Sequence, residues 1–172
     1  MLSLIAAALA LAAPAGTLSE GADCILGQTS SEDASAIGSD ILSGRNAATG
    51  EIGERMTAHV AACVERFGWD EAEAVRVSTL SVTAMARAVA LERLAAAGID
   101  AAAIDRWFDA QSEAFRTRAF IDMSEEEAIP VLDTLAEHTI SAEQFEQNAE
   151  LIGGYLASRV LVVRAERGLP LQ

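Results

Sequence analysis

The sequence predicts an all-α protein, a single-domain bundle of about six helices around one long central helix, with one disulfide bond. Apolar residues recur at intervals of three and four through most of the chain, as on the buried face of a helix. No stretch alternates apolar and polar residues in the manner of a half-buried strand. Alanine is abundant and aromatic residues make up only 5% of the 172 residues, a composition that suits closely packed helices.

At the N-terminus, an apolar run from Leu2 to Ala13 is interrupted only by Ser3. The run has the length of a secretory signal core and falls short of the ~20 residues that cross a membrane. The small residues of Ala13-Pro14-Ala15 follow it and resemble a cleavage site. We therefore expect residues 1–15 to be a signal peptide that is removed and residues 16–172 to form one helical domain. The mature protein is then periplasmic or secreted, with no transmembrane segment.

The chain has two cysteines, Cys24 and Cys63. In the oxidising compartment that a signal peptide implies, one structural disulfide is the simplest explanation for them. The sequence leaves open whether that bond is intramolecular. A metal site is the alternative, because His59 lies four residues before Cys63 on the same helical face. The short paired spacings of zinc modules are absent, so we expect neither a metal nor another cofactor.

Two short helices are predicted before the central one. Apolar residues behind Ser31 form a short stripe that ends at Gly44. A second apolar face repeats with helical period over residues 52–67 and stops at Gly68, because glycine commonly ends a helix. The polar segment before Ser31, which carries Cys24, is expected to be loose.

The central helix is predicted at residues 70–97. Asp70 with Glu73 three residues later resembles a capping box, and Gly98 ends the apolar pattern. Apolar residues cover much of the circumference, as expected for a helix that is contacted on several sides. They are Val75, Val77, Leu80, Val82, Met85, Val89, Leu91 and Leu94.

Two further helices follow the central one. The first is predicted to begin at Asp100, and its apolar stripe extends as far as Phe115. The next begins at Ser124, which forms a capping box with Glu127. Pro130 lies six residues into this helix and removes a backbone N–H donor, so that we expect a kink or a short break.

The last helix is predicted to run from Ser141, which forms a capping box with Gln144, to about Arg167. Gly153-Gly154 lies in its middle, where glycine lowers helix stability. Such a pair either bends the helix or allows the backbone of a neighbour to approach closely.

The densest aromatic cluster contains Trp107, Phe108 and Phe115. Their spacing is typical of core residues. The alternative is a groove for an apolar ligand, since bundles place such sites between helices. Arg116 and Arg118 flank the cluster and would suit an anionic head group. These residues form the candidate ligand groove.

Charge excludes several classes of partner. The basic residues are 12 arginines, and they stand against 26 acidic residues, which gives a net charge of −14. This charge repels nucleic acids and anionic lipids, and no basic stripe offsets it. The absence of lysine excludes Schiff-base chemistry and a phosphate-loop lysine.

No familiar catalytic motif is present: the sequence lacks G-x-S-x-G, H-E-x-x-H and C-x-x-C-H. Asp105, Asp109 and Glu113 are spaced four residues apart and are expected to form one row on a helix. With Arg106 and Arg116 in reach, such a row is typical of a solvated, salt-bridging surface.

We therefore expect a non-enzymatic protein that binds another protein or has a structural role in the cell envelope. The alternative is a carrier of an apolar or amphiphilic small ligand in a groove between helices. A further alternative is a hydrolase with an unrecognised carboxylate site. Protein binding predicts an exposed apolar patch larger than a few hundred Å². Carriage predicts an elongated internal cavity lined by the fourth and sixth predicted helices, with arginine near its mouth. Hydrolysis predicts a cleft with at least two buried ionisable residues of shifted pKa.

Overall fold

A computed structural model describes residues 18–45, 49–118 and 123–170 of the chain. These residues form eight helices, and the all-α prediction is confirmed. The helices are α1 (Leu18–Gln28), α2 (Ser31–Leu42), α3 (Gly50–Phe67), α4 (Glu71–Ala96), α5 (Ala101–Asp109), α6 (Glu113–Arg118), α7 (Glu125–Thr139) and α8 (Ala142–Glu166). The predicted signal peptide, residues 1–15, lies outside the described residues.

Helix α4 is the centre of the bundle, as predicted. It is 26 residues long and packs against α1, α2, α3, α5 and α8. By length and composition alone α4 is also apolar enough to span a membrane, a property that it shares with core helices of globular proteins. The predicted capping box begins it: the Glu73 backbone N–H donates to Asp70 Oδ1 at 2.8 Å, and the Asp70 N–H donates to Glu73 Oε2 at 3.3 Å.

The buried side chains form two clusters. The larger lies between α4, α5, α7 and α8 and contains Ala90, Leu94, Ile99, Ile104, Trp107, Phe108, Leu135, Ile152, Tyr155, Leu156 and Val160. The smaller lies beneath α1 and α3 and consists of Ile25, Cys63, Trp69 and Val77. The larger cluster joins the central helix to the C-terminal half of the chain, and the smaller one joins it to the N-terminal helices.

The predicted disulfide is present and lies within one chain. The Sγ atoms of Cys24 and Cys63 are 2.05 Å apart and the two Cα atoms are 6.2 Å apart. The bond joins α1 to α3 at the smaller cluster, where Cys63 is fully buried. A covalent link therefore holds the N-terminal helix against a small patch of core.

Two elements differ from the sequence prediction of about six helices. The segment that carries Cys24 is helix α1 rather than a loose stretch. The predicted fourth helix is divided into α5 and α6, because the Ser112 side chain accepts a hydrogen bond from the Phe115 backbone N–H at 3.2 Å and begins a new turn.

The expected break at Pro130 does not occur, and α7 continues through it. The bond that proline cannot make is the one to the carbonyl of Glu126, one turn earlier. Both residues are exposed, so water can bond that carbonyl.

The glycine pair of α8 neither bends the helix nor admits a neighbouring backbone. The irregular backbone lies at Asn148 (φ −128°, ψ 19°), five residues before Gly153. A Cβ on Gly154 would lie 3.0 Å from the Leu42 side chain. The close backbone approach is instead at Gly38 of α2, where a Cβ would lie 2.5 Å from the Met85 carbonyl oxygen of α4.

Candidate functional site

A polar cluster joins α4, α5 and α8 around Asp105. The Tyr155 hydroxyl donates to Asp105 Oδ1 at 2.8 Å, and Arg87 Nη2 donates to Oδ2 at 3.0 Å. Arg159 Nε lies 3.2 Å from Oδ1, close enough for an ion pair although not aligned for a hydrogen bond. Arg159 Nη2 also donates to Asp109 at 2.7 Å. One carboxylate thus ties together three helices.

The protonation states of the cluster are set by burial and by its own charges. Burial is the largest influence on Tyr155 and raises the pKa of its hydroxyl above the ordinary value of 10.0. Burial opposes the charge on Arg87, but Tyr155 and Asp105 outweigh it and raise the pKa of the guanidinium. At neutral pH Tyr155 is therefore a neutral phenol and Arg87 a cation.

This arrangement suits a structural tie better than a catalytic site. Tyr155 is fully buried, and the arginines already pair with the carboxylates. The grooves at the start of α4 and between α2 and α8 are lined by other residues. The shifts raise the pKa of Tyr155 and of Arg87 further from neutrality, whereas acid–base catalysis requires groups that titrate near the working pH.

The predicted acidic row is divided between helices and finds other partners. Asp105 and Asp109 lie on α5, whereas Glu113 begins α6. The predicted neighbours Arg106 and Arg116 do not pair with the row. Its partners are Arg87 for Asp105, Arg159 for Asp105 and Asp109, and Arg167 for Glu113. These arginines come from α4, from within α8 and from the residue that follows α8, so that tertiary rather than local contacts set the pairing.

The residues around the disulfide do not form a metal site. The two sulfurs are bonded to each other and are not available as thiolate ligands. Gln28 Nε2 lies 3.0 Å from the Cys63 sulfur, and His59 Nδ1 lies 3.4 Å from the Thr29 hydroxyl. In the described part of the chain, no group of three or more His, Cys, Asp and Glu residues is arranged to hold a metal ion.

The candidate aromatic groove lies largely in the core. Trp107 and Phe108 are 9% and 0% exposed. Phe115 packs edge-on against both, with ring centroids 5.6 and 6.3 Å away. Arg116 is half-buried on α6, and Arg118 is exposed at its end. The aromatic rings contact one another, and a ligand groove at these residues stays a prediction.

An apolar groove that the sequence did not indicate lies between the start of α4 and the segment that follows α8. We call it the α4–tail groove, the tail being residues 168–170. Its volume is about 800 Å³, and it is lined by Asp70, Glu71, Ala72, Val75, Arg76, Gly168, Leu169 and Pro170. Val75 on one wall is 54% exposed and Leu169 on the other is 38% exposed. The aliphatic walls face each other across open solvent.

Hydrogen bonds hold the tail wall in place. Arg164 Nε donates to the Pro170 carbonyl at 2.5 Å, and the Leu169 N–H donates to the Arg164 carbonyl at 2.9 Å. Across the groove, Arg76 Nη2 donates to the Ala165 carbonyl at 2.7 Å. Gly168 reverses the chain with φ 67°, a conformation that glycine adopts without strain. These hydrogen bonds therefore fix the shape of the groove.

The rim of the groove is acidic. Asp70 and Glu71 are both exposed at the start of α4. Asp70 caps the helix, whereas Glu71 makes no ion pair among the described residues. Arg76, the one cation of the lining, is half-buried and bonded to the Ala165 carbonyl. The two carboxylates of the lining outnumber its one guanidinium, and they are the more exposed of these charges.

A second groove, of about 680 Å³, lies between the end of α2 and the glycine pair of α8. Ile41 and Leu151 contribute apolar surface, but Arg93 and Glu150 also line it. Gly153 faces open space there, since a Cβ added to it would have no atom within 4 Å. Its mixed lining makes this groove the weaker candidate.

Comparison with protein-family models, with curated proteins and with solved structures finds no match to this chain. The contacts and charges of its own residues are therefore the basis for a function.

Proposed function

We propose that this protein is a non-enzymatic, protein-binding component of an oxidising compartment, exported to the periplasm or beyond. The observation that carries the proposal is the α4–tail groove. Its walls expose Val75 and Leu169 on a preformed surface. Exposed aliphatic surface rimmed by polar groups is typical of protein interaction sites.

The shape of the groove favours a protein over a small ligand. Small-molecule sites bury about 70–90% of their ligand in a concave, mostly enclosed pocket. Here the wall residue Val75 is more than half exposed, and the groove is open along its length. A protein surface can cover both an open groove and the polar surface around it, so that the groove becomes the apolar core of an interface.

The polar cluster supports a non-enzymatic role. Its tyrosine is buried and neutral, and its carboxylates are paired with arginines. A catalytic pair requires groups within reach of a substrate, with environments that separate their pKa values. The cluster instead resembles a network that fixes three helices to one another.

The compartment is supported by the disulfide, which is consistent with an oxidising environment. The apolar N-terminal run of the sequence adds the export signal that such a location requires. A chain of this length can bury a hydrophobic core of its own.

The proposal is tested by placing a photoreactive amino acid at Val75 and, as a matched control, at Ile129. Ile129 is 52% exposed but lies on α7, outside the groove lining. In the envelope of cells that make the protein, we expect a discrete cross-linked species from position 75 and not from 129. The substitution Leu169→Asn should remove it, because it eliminates the opposite apolar wall. Equal cross-linking from both positions, or none from 75, would contradict the proposal.

Native mass spectrometry separates this role from that of a carrier. We expect the mature chain, two hydrogens lighter than the reduced form, with no small molecule bound after gentle desolvation. A bound apolar molecule that leaves on denaturation would contradict protein binding as the main role and favour the carrier alternative.

A further inference from the structure

We infer that the partner segment that binds the α4–tail groove is cationic and aliphatic: it places a branched aliphatic side chain between Val75 and Leu169 and an arginine or lysine beside Glu71. This inference rests on the proposed function, since it names the chemistry of the segment that the groove receives.

The walls of the groove select an aliphatic side chain. Ala72 and Val75 are three residues apart on one face of α4, and Leu169 and Pro170 lie opposite them. The lining contains no aromatic ring on which a planar group would stack. Because the walls consist of small and branched aliphatic side chains, the main attraction they offer is apolar contact with a branched aliphatic side chain of the partner.

The rim selects a positive charge. Glu71 is exposed beside Ala72 and makes no ion pair among the residues that the structure describes. Arg76, which also lines the groove, donates to the Ala165 carbonyl and makes no ion pair with Glu71 among the described residues. A cation on the partner would therefore meet an unpaired carboxylate without displacing an existing ion pair.

The negative net charge of the whole molecule also favours a cationic partner. With a net charge of −14, the chain repels acidic segments and attracts basic ones over distances of about a Debye length. An anionic lipid surface is disfavoured for the same reason. Electrostatic complementarity of this kind raises the association rate and excludes wrong partners.

The inference is tested by selecting random 12-residue peptides, displayed on phage, on the folded and oxidised protein. Binders that are retained by the Val75→Asn variant are discarded, which leaves only those that depend on the groove. Val75 is more than half exposed, so the variant is expected to fold, and its circular dichroism and thermal midpoint verify this before use.

Three outcomes are distinguishable. Groove-dependent binders enriched in an aliphatic residue next to arginine or lysine, relative to the unselected library, support the inference. Groove-dependent binders without that cationic enrichment overturn the inference while leaving protein binding in place. An absence of groove-dependent binders overturns the inference and the docking surface of the proposed function together.

The role of Glu71 is measured with one selected peptide and two variants. Glu71→Gln should weaken binding about twofold to fivefold, the range for one exposed charge pair. Glu126→Gln removes the same charge from the first turn of α7, outside the groove, and should leave the affinity unchanged. Raising the salt from about 20 to about 150 mM should weaken binding to the native protein more than binding to Glu71→Gln. Equal losses in the two variants would assign the effect to net charge and refute a local role of Glu71.

Discussion

Reduction of the disulfide should lower the free energy of unfolding by about 4 kcal/mol. The bond joins residues 39 positions apart in sequence, and the loop-entropy model assigns about 4 kcal/mol to a closed loop of roughly this length. Small domains are stable by about 5–15 kcal/mol, so the bond supplies a large share. The loss of stability should be largest at α1, because the hydrophobic cluster beneath that helix is small and consists of Ile25, Cys63, Trp69 and Val77.

The assay is urea unfolding of the mature protein with and without a reductant, followed by far-ultraviolet circular dichroism. With a slope of about 2 kcal/mol per molar urea, the midpoint should fall by about 2 M on reduction. A variant with both Cys24→Ala and Cys63→Ala is the control, and its midpoint should not respond to the reductant. If the native protein loses less than about 1 kcal/mol on reduction, residual structure in the unfolded chain already brings α1 and α3 together, and the entropic reasoning does not apply.

Three further predictions follow from the packing and from the polar cluster. Gly38→Ala should destabilise the protein by about 1–3 kcal/mol in the urea assay, because its Cβ would lie 2.5 Å from a carbonyl oxygen of α4. Gly153→Ala should stabilise the protein by about 0.5–1 kcal/mol, because its Cβ would have no atom within 4 Å and alanine favours the helix. Tyr155 is the single tyrosine of the chain, so absorbance at about 295 nm should show the folded protein forming tyrosinate with a midpoint above pH 10.0. A midpoint at 10.0 in the folded state would refute the burial of Tyr155 against Asp105. Because folding raises this pKa, the stability that the neutral phenol contributes is complete below pH 10 and is lost as the pH rises through the folded value; the loss should be absent in Tyr155→Phe. Asp105→Asn should cost about 2 kcal/mol, and a double-mutant cycle with Arg159→Gln should show coupling, whereas additive effects would contradict the network.

The central helix was predictable because its signals are local. The capping box at Asp70 and the apolar residues around α4 are all present within one stretch of sequence. The structure confirms the capping box and the contacts of α4 with several other helices. Helix α1 was missed because residues other than large aliphatics form much of its packing face. Gly21 and Cys24 lie on that face, and a Cβ on Gly21 would lie 2.5 Å from the Trp69 ring. A pattern of apolar side chains does not reveal a helix that packs through glycine and a cystine.

The polar cluster and the groove were not predictable from the sequence, because each needs residues that are far apart in the chain. Arg87 and Tyr155 are separated by 68 positions, and neither has a local pattern that marks it as polar core. Val75 belongs to the apolar repeat of α4 that predicts a buried surface, yet it is 54% exposed. The reason is geometric: the described residues that follow α8, 168–170, line the groove together with Val75 and leave more than half of that side chain exposed.

The distribution of arginine explains why the outer surface is acidic. Five of the 12 arginines make ion pairs or hydrogen bonds between separate parts of the fold. Arg87, Arg159 and Arg167 bridge separate helices, and Arg76 and Arg164 hold backbone carbonyls near the tail. Residues 119–158 contain nine acidic residues and no arginine or lysine at all. Because 26 acidic residues stand against 12 arginines, and these five arginines hold internal contacts, most of the charge that a partner meets is carboxylate. Any partner that approaches the α4–tail groove therefore encounters an apolar surface in a negative field, and this combination favours basic, aliphatic segments over acidic ones.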